Sequence, residues 1–109
     1  MWRCKSCNYV WDDEEAPDSC PHCGAAAAQF GALSDKAADL IESSRFTNSL
    51  LMQLHLLMEQ VIELAEDGID DNLDPRCVNI FTLAMEQAEA MQQLVKAQLQ
   101  EHAGRGKWG

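Results

Sequence analysis

Apolar side chains recur every three to four residues through most of the chain after residue 34. From Leu50 to Ala65 they cover one side of a helix, an arc of roughly 160° at 100° per residue. Ser34 and Asp35 favour a helix start, since a hydroxyl caps free N–H groups and a carboxylate complements the helix dipole. Gly68 is a common type of helix stop. The pattern therefore predicts a helix over 34–67.

A second helical segment follows an acidic turn. Asp74 is a favourable N-cap, and Pro75 suits the first helical position because its missing N–H is not needed there. The apolar spacing then predicts a helix over 75–102, so that residues 34–103 form an all-α helical hairpin. The segment 104–109, which is rich in glycine and basic residues, predicts a flexible tail.

The apolar residues of the second helix spread over roughly 200° of its circumference. One partner helix cannot cover that arc, and large exposed apolar surfaces usually mark interfaces. We therefore expect a homodimer through the helices, in which two hairpins form a four-helix bundle. Met52 and Leu56, on the otherwise polar side of the first helix, support this expectation. The alternative is a monomer whose amino-terminal module folds back over the helices.

The first 25 residues contain two Cys-x2-Cys pairs separated by twelve residues. These are Cys4 with Cys7, and Cys20 with Cys23. Four thiolates suit a tetrahedral zinc or a single iron, and metal binding supplies the folding free energy that so small a segment lacks. Two disulfides are the alternative, but tight Cys-x2-Cys pairs favour a metal. Residues 1–25, which we call the cysteine module, are predicted to be a metal-bound knuckle module, with 26–33 as a linker to the hairpin.

Several motifs in this module are shared with a known family. Trp2-x-Cys4, Cys7-x-Tyr9, Ala16-Pro17 and Cys20-Pro21-x-Cys23-Gly24 resemble the rubredoxin-like domain of rubrerythrins. The resemblance implies one iron held by four cysteines and a role as a one-electron carrier. Asn8 stands where that family usually has glycine, at a position we expect to need a positive φ, which asparagine tolerates better than most residues.

Rubrerythrins couple this domain to a di-iron four-helix bundle, which requires inward carboxylates and Glu-x-x-His pairs. No Glu-x-x-His occurs in this sequence. The residues to test for a second metal are His55, Glu59 and Glu86, but the glutamates lie opposite the apolar faces and are interpreted as solvated. Cys77 begins the second helix and is interpreted as a small core residue; a redox role is the alternative.

The identity of the metal is left open by the ligands, because four cysteines serve both iron and zinc. Trp2, Tyr9 and Trp11 lie close to the cysteines in the sequence and would shield a redox centre, which favours iron. Two functions follow. The first is a rubredoxin-like one-electron carrier with a mononuclear Fe(Cys)4 site. The second is a structural zinc-ribbon scaffold or adaptor whose helical surface binds partner proteins.

Charge and hydropathy limit the other functions. The net charge of −10 disfavours nucleic-acid binding but is compatible with docking a basic redox partner. There is no charged and then apolar leader and no apolar run of membrane-spanning length, so a cytoplasmic protein that does not bind membranes is expected. No nucleophile–base pair, phosphate loop or open metal position is evident, and the sequence therefore predicts no enzyme beyond an electron-transfer component.

Overall fold

The computed structural model describes residues 1–109 and contains three short strands and two long helices. Strands β1 (Trp2–Cys4), β2 (Val10–Trp11) and β3 (Phe30–Ala32) form an antiparallel sheet in the order β2-β1-β3. Helices α1 (Asp35–Asp71) and α2 (Pro75–Gly104) form a helical hairpin. This architecture, a small cysteine-bearing sheet followed by an all-α hairpin, agrees with the predicted fold class.

The chain divides into two compact units. The amino-terminal unit comprises Met1–Arg45 and Arg105–Gly109, and the helical unit comprises Phe46–Gly104. No helix in either unit has both the length and the apolar character needed to cross a membrane.

The prediction of a linker at 26–33 is wrong, because this segment contains a strand of the sheet. A short 3-10 turn at Ala27–Gln29 leads into β3, and β3 pairs with β1 so that Phe30 lies opposite Cys4. The linker was predicted because glycines stand at both ends of the segment, Gly24 and Gly31, and three residues of strand are too few to show an alternating pattern. The cysteine module therefore extends from residue 1 to residue 32.

Both helix starts have the predicted caps. Ser34 Oγ accepts a hydrogen bond from the N–H of Ala37 at 3.2 Å. Asp74 Oδ1 accepts one from the N–H of Cys77 at 2.8 Å, and this bond is the main reason that the pKa of Asp74 is lowered. These side chains satisfy N–H groups that have no partner within the first turn of a helix.

The first helix is longer than predicted, since it continues through Gly68 to Asp71. A side chain at position 68 would overlap the ring of Phe81, so this glycine allows α2 to pack closely and does not end the helix. The chain leaves the helix at Asn72, whose φ of 48° is the left-handed conformation common just after a helix. The second helix likewise continues two residues beyond the predicted 75–102.

The predicted flexible tail at 104–109 is ordered against the amino-terminal unit. Arg3 Nη2 donates to the carbonyl of Trp108 at 3.2 Å, and Arg45 Nε donates to that of Gly109 at 2.9 Å. Gly109 also lies so close to Val10 that a Cβ there would come within 2.6 Å of Val10 Cγ2. The guanidinium groups of Arg3 and Arg45 therefore hold the last residues in place by hydrogen bonds to their carbonyls, although the composition of this segment predicts disorder.

The helical unit is held by small and polar side chains. Its buried apolar residues are Ile62, Ala65, Ala88 and Val95. Buried polar residues lie between the helices as well: His102 Nδ1 is hydrogen-bonded to Asn48 Oδ1, and Gln92 Nε2 donates to Glu59 Oε2 at 2.8 Å. The first contact joins the first half of α1 to the end of α2, and the second joins positions nearer the middle of both helices, as expected for antiparallel helices.

Candidate metal centre

The two Cys-x2-Cys pairs adopt the same backbone turn. In the first, the N–H of Cys4 donates to the carbonyl of Tyr9 at 2.9 Å and the N–H of Asn8 donates to that of Cys4 at 2.9 Å. In the second, the N–H of Cys20 donates to Ala25 O at 2.7 Å and the N–H of Gly24 to Cys20 O at 2.9 Å. The second turn therefore repeats the first with a shift of sixteen residues in the sequence.

Each turn needs one residue in the left-handed region just after its second cysteine. Asn8 has φ 66° and Gly24 has φ 76°. Glycine adopts this conformation without a steric cost, and asparagine is among the few other residues that adopt it readily. The expectation of a positive φ at Asn8 is confirmed, and the replacement of glycine by asparagine leaves the turn intact.

The turns bring four sulfur atoms together. Cys4 Sγ lies 3.7 Å from Cys23 Sγ, Cys7 Sγ lies 3.7 Å from Cys20 Sγ, and all four lie within 4.8 Å of one another. Metal–sulfur bonds of about 2.3 Å place the corners of a tetrahedron roughly 3.8 Å apart. The four thiols therefore fit the coordination shell of one zinc or iron ion, and none of them forms a disulfide.

Backbone N–H groups point at the first sulfur of each pair. Burial opposes ionisation of Cys4, but the N–H groups of Cys7 and Ser6 donate to its sulfur, and the net effect is a lowered pKa. Burial also opposes ionisation of Cys20, where the N–H groups of Cys23 and His22 lower the pKa to about 7. Such donors stabilise thiolates, which are the form that binds metal, and they tune the potential of a bound iron.

The Cys7 thiol resists ionisation, because burial and the neighbouring thiols oppose it. The N–H of Tyr9 favours the Cys7 thiolate, but burial and the side chains of Cys23, Cys20 and Cys4 outweigh it and raise the pKa of Cys7 to about 12. Four thiolates this close together repel one another unless a cation lies between them. A metal ion at the centre of the cluster would supply the positive charge that four thiolates require.

The sulfurs differ in exposure. Cys4 and Cys20 are buried, Cys7 is half-buried and Cys23 is exposed. Cys4 and Cys20 form the core of the module with Phe30, and Trp2 and Trp11 pack against it. The two indoles also donate to backbone carbonyls of the acidic loop, Trp2 Nε1 to Glu14 at 3.2 Å and Trp11 Nε1 to Glu15 at 3.0 Å.

Of the three aromatic residues predicted to shield the sulfurs, Trp2 and Trp11 pack against this core, whereas Tyr9 is exposed. The ring that sequence analysis missed is Phe30, which it assigned to the linker. The available signal was weak: a single large aromatic residue between small ones just after the second Cys-x2-Cys pair.

The other residues considered as metal ligands or as a redox thiol do not lie together in a second site. The four cysteines form the one group of metal-ligating side chains that lie close enough to share an ion, and His55, Glu59 and Glu86 are not part of such a group. His55 Nε2 is buried without a hydrogen-bond partner, and Glu59 accepts a hydrogen bond from Gln92. The pKa of Cys77 is raised because its thiol donates to Asp74, which disfavours a reactive thiolate.

The fold and the sulfur geometry define a small four-cysteine module positioned for metal binding. Residues 2–31 match the family model described as the rubrerythrin, rubredoxin-like domain, in agreement with the resemblance found in the sequence. The match covers less than a third of the chain and includes none of the helical unit. Searches of curated proteins and of solved structures found no match to the chain.

Proposed function

We propose that the protein is a one-electron carrier in which Cys4, Cys7, Cys20 and Cys23 hold a single iron ion. A bound iron would accept and release one electron by changing between its ferric and ferrous states. The observation that carries the proposal is the set of four sulfurs at tetrahedral spacing with backbone N–H groups directed at them. Those donors would stabilise negative charge on the sulfurs and so adjust the potential.

The surroundings of the sulfurs support a redox role. Phe30, Trp2 and Trp11 pack around the two buried cysteines and would exclude water from one side of the centre. On the other side Cys7 lines a cleft of about 330 Å3 together with His22 and Trp108. A centre with one shielded and one open side keeps Cys4 and Cys20 away from water while leaving Cys7 within reach of a redox partner. A net charge of −10 would steer a basic partner towards the protein.

The test is metal analysis and visible spectroscopy of the protein isolated from its own source. We expect one iron per chain, a red ferric form and loss of the colour on reduction. Replacement Cys20→Ser should abolish the colour, because it removes a buried ligand, and should leave helix content nearly unchanged. Cys77→Ser is the matched control and should keep the colour, since Cys77 lies outside the sulfur cluster.

Zinc is the alternative ion, because a closed shell of four cysteines suits it equally well. One zinc per chain in protein from its own source, with no colour and no redox response, would contradict the electron-carrier proposal. It would favour the structural scaffold or adaptor, in which the metal only holds the module in shape.

A further inference from the structure

The helical unit fully buries few large apolar side chains, although several more are half-buried. The largest side chains that are fully buried in the protein are Ile41 and Cys4, and both belong to the amino-terminal unit. Between the helices the buried positions are mostly alanine and valine or polar. An isolated hairpin of this kind is weakly stabilised, because most helical stability in proteins comes from packing of an apolar face.

Each helix carries a second row of positions, which we call the outer stripe. Its positions recur every three or four residues, as in the contact seam of a coiled coil, and all of them are exposed. The outer stripes consist of Phe46, Leu50, Gln53, Leu57, Gln60 and Leu64 on α1, and of Ile80, Leu83, Gln87, Ala90, Leu94 and Ala97 on α2. The large apolar residues among them are between 46 % and 74 % exposed.

Both outer stripes lie on the same side of the hairpin. At 100° per residue, the outer stripe is reached from the buried row by a turn of roughly 140° in the same sense on each helix. Because the helices run antiparallel, equal turns carry both stripes to one face. Half-buried Leu54 and Val61 on α1, and Ala84 on α2, lie between the buried and outer rows and make the apolar surface continuous.

The outer stripes are free of charge. Charged residues make up 24 % of the chain, yet none of the twelve positions is charged. Charged residues lie instead on the rest of the helix surface and at the ends of the two rows, where Asp71, Arg76 and Glu101 follow or precede the stripes. Those on the rest of the surface include Glu59, Glu63, Glu66, Glu86, Glu89 and Lys96. A surface that only faces water has no reason to exclude charge from one continuous face, whereas a protein interface depletes charged residues at its centre.

The area of this face matches what a dimer needs. The seven large apolar side chains of the stripes and neighbouring Met91, at on the order of 80 Å2 each, expose roughly 650 Å2. Monomeric proteins rarely expose a contiguous apolar patch larger than a few hundred Å2. A standard interface buries about 800 Å2 on each partner, and the glutamines and alanines of the stripes supply the remainder.

We propose that the outer stripes pack against those of a second copy of this chain, so that two hairpins form a four-helix bundle. Two rows on antiparallel helices are self-complementary about a twofold axis, because α1 of one copy can lie against α2 of the other. Two copies that each carry ten excess negative charges repel each other least where carboxylates are absent, and none of the twelve stripe positions carries one. The inference is independent of the identity of the metal.

The experiment compares two adjacent leucines on α1 in the full-length, metal-loaded protein. Sedimentation equilibrium of the wild type should give twice the 12.1 kDa mass of the chain. Leu57→Glu introduces two carboxylates into the symmetric interface, one from each copy, and should raise the dimer dissociation constant at least about 100-fold. Because Leu57 is 53 % exposed within the hairpin, the variant should keep its helix content by circular dichroism.

Leu56→Glu is the matched control. Although Leu56 was expected from the sequence to support the dimer, it lies about 100° away around the helix, outside the outer stripe, and it is the same residue type and 61 % exposed. This variant should leave the dimer dissociation constant within about threefold of the wild type. A monomeric wild type, a dimer that Leu57→Glu leaves intact, or equal disruption by both variants would overturn the proposal. Metal content and colour should be the same in all three proteins, which separates this result from the test of the metal centre.

Discussion

The cysteine module and the helical unit both lack a large core of their own, but for different reasons. The module is too short to bury much surface: its centre is two cysteines and one phenylalanine, with two indoles packed around them. The helical unit is long enough, but a pair of helices can bury only one side of each. We infer that each is completed by a different kind of partner, the module by a metal ion and the hairpin by a second copy.

The comparison shows how stability can be divided within one chain. Coordination bonds hold a few residues in a defined geometry, and their strength depends on the chemistry of four sulfur atoms. Helix packing depends instead on the shapes of many side chains, so its stability is spread over the interface. Changes in the module and in the hairpin should therefore have separable effects.

Removal of the metal should have the largest effect and should be confined to the module. After reduction and treatment with a strong chelator, we expect residues 2–31 to lose protection of their backbone amides from hydrogen exchange, because metal binding in such modules contributes on the order of 10 kcal/mol. Residues 46–104 should keep their protection and the helical circular dichroism signal. Loss of protection in both regions together would show that they fold as one cooperative unit.

A substitution at Gly68 should have an intermediate effect, confined to the helical unit. In Gly68→Ala the new Cβ would overlap the ring of Phe81, and we expect a loss of about 1–2 kcal/mol of unfolding free energy after the gain in helix propensity is included. The measurement is denaturant unfolding followed by circular dichroism, with visible absorbance unchanged.

Gly104→Ala provides the control for this prediction, because no atom lies within 4 Å of a Cβ built there. It should be neutral or stabilise the hairpin by up to about 1 kcal/mol. Equal losses in the two variants would mean that close packing against Phe81 is not what requires glycine at position 68.

Replacement of Gly24 by asparagine should have the smallest effect, and its comparison with valine tests the repeat between the two turns. Because Asn8 holds the equivalent conformation, Gly24→Asn should change the stability of the loaded module by less than about 1 kcal/mol, whereas Gly24→Val should lower it by about 1–3 kcal/mol. Nothing lies within 4 Å of a Cβ at this position, so the difference reports backbone conformation alone. Loss of visible absorbance on heating measures the stability of the loaded module. Identical behaviour of the two variants would contradict the requirement for a positive φ at position 24.

The features predictable from the sequence are those that depend on neighbouring residues. The two Cys-x2-Cys pairs, the positive φ of Asn8 and the caps Ser34 and Asp74 are each determined within a few positions, and all are present in the structure. The two helices were predictable for the same reason, since their apolar spacing repeats over many turns.

The features that were missed depend on residues far apart in the chain. Phe30 joins the core only because β3 pairs with β1, and Gly68 continues the helix because Phe81 comes from the other helix. His102 lies near a helix end, where side chains are commonly exposed, yet it is buried against Asn48 of the other helix. The order of the last residues depends on Arg3 and Arg45, which no local pattern connects to them.

Within each Cys-x2-Cys pair the leading thiol lies inside the module and the trailing thiol reaches outward. The repeated turn thus leaves two sulfurs of the cluster buried and the other two accessible. An electron passing to or from another molecule would travel the shortest distance through Cys7 or Cys23. Recognition of a redox partner would accordingly be encoded by the few side chains bordering these two thiols, and a change among them could redirect electron flow while leaving the coordination shell untouched.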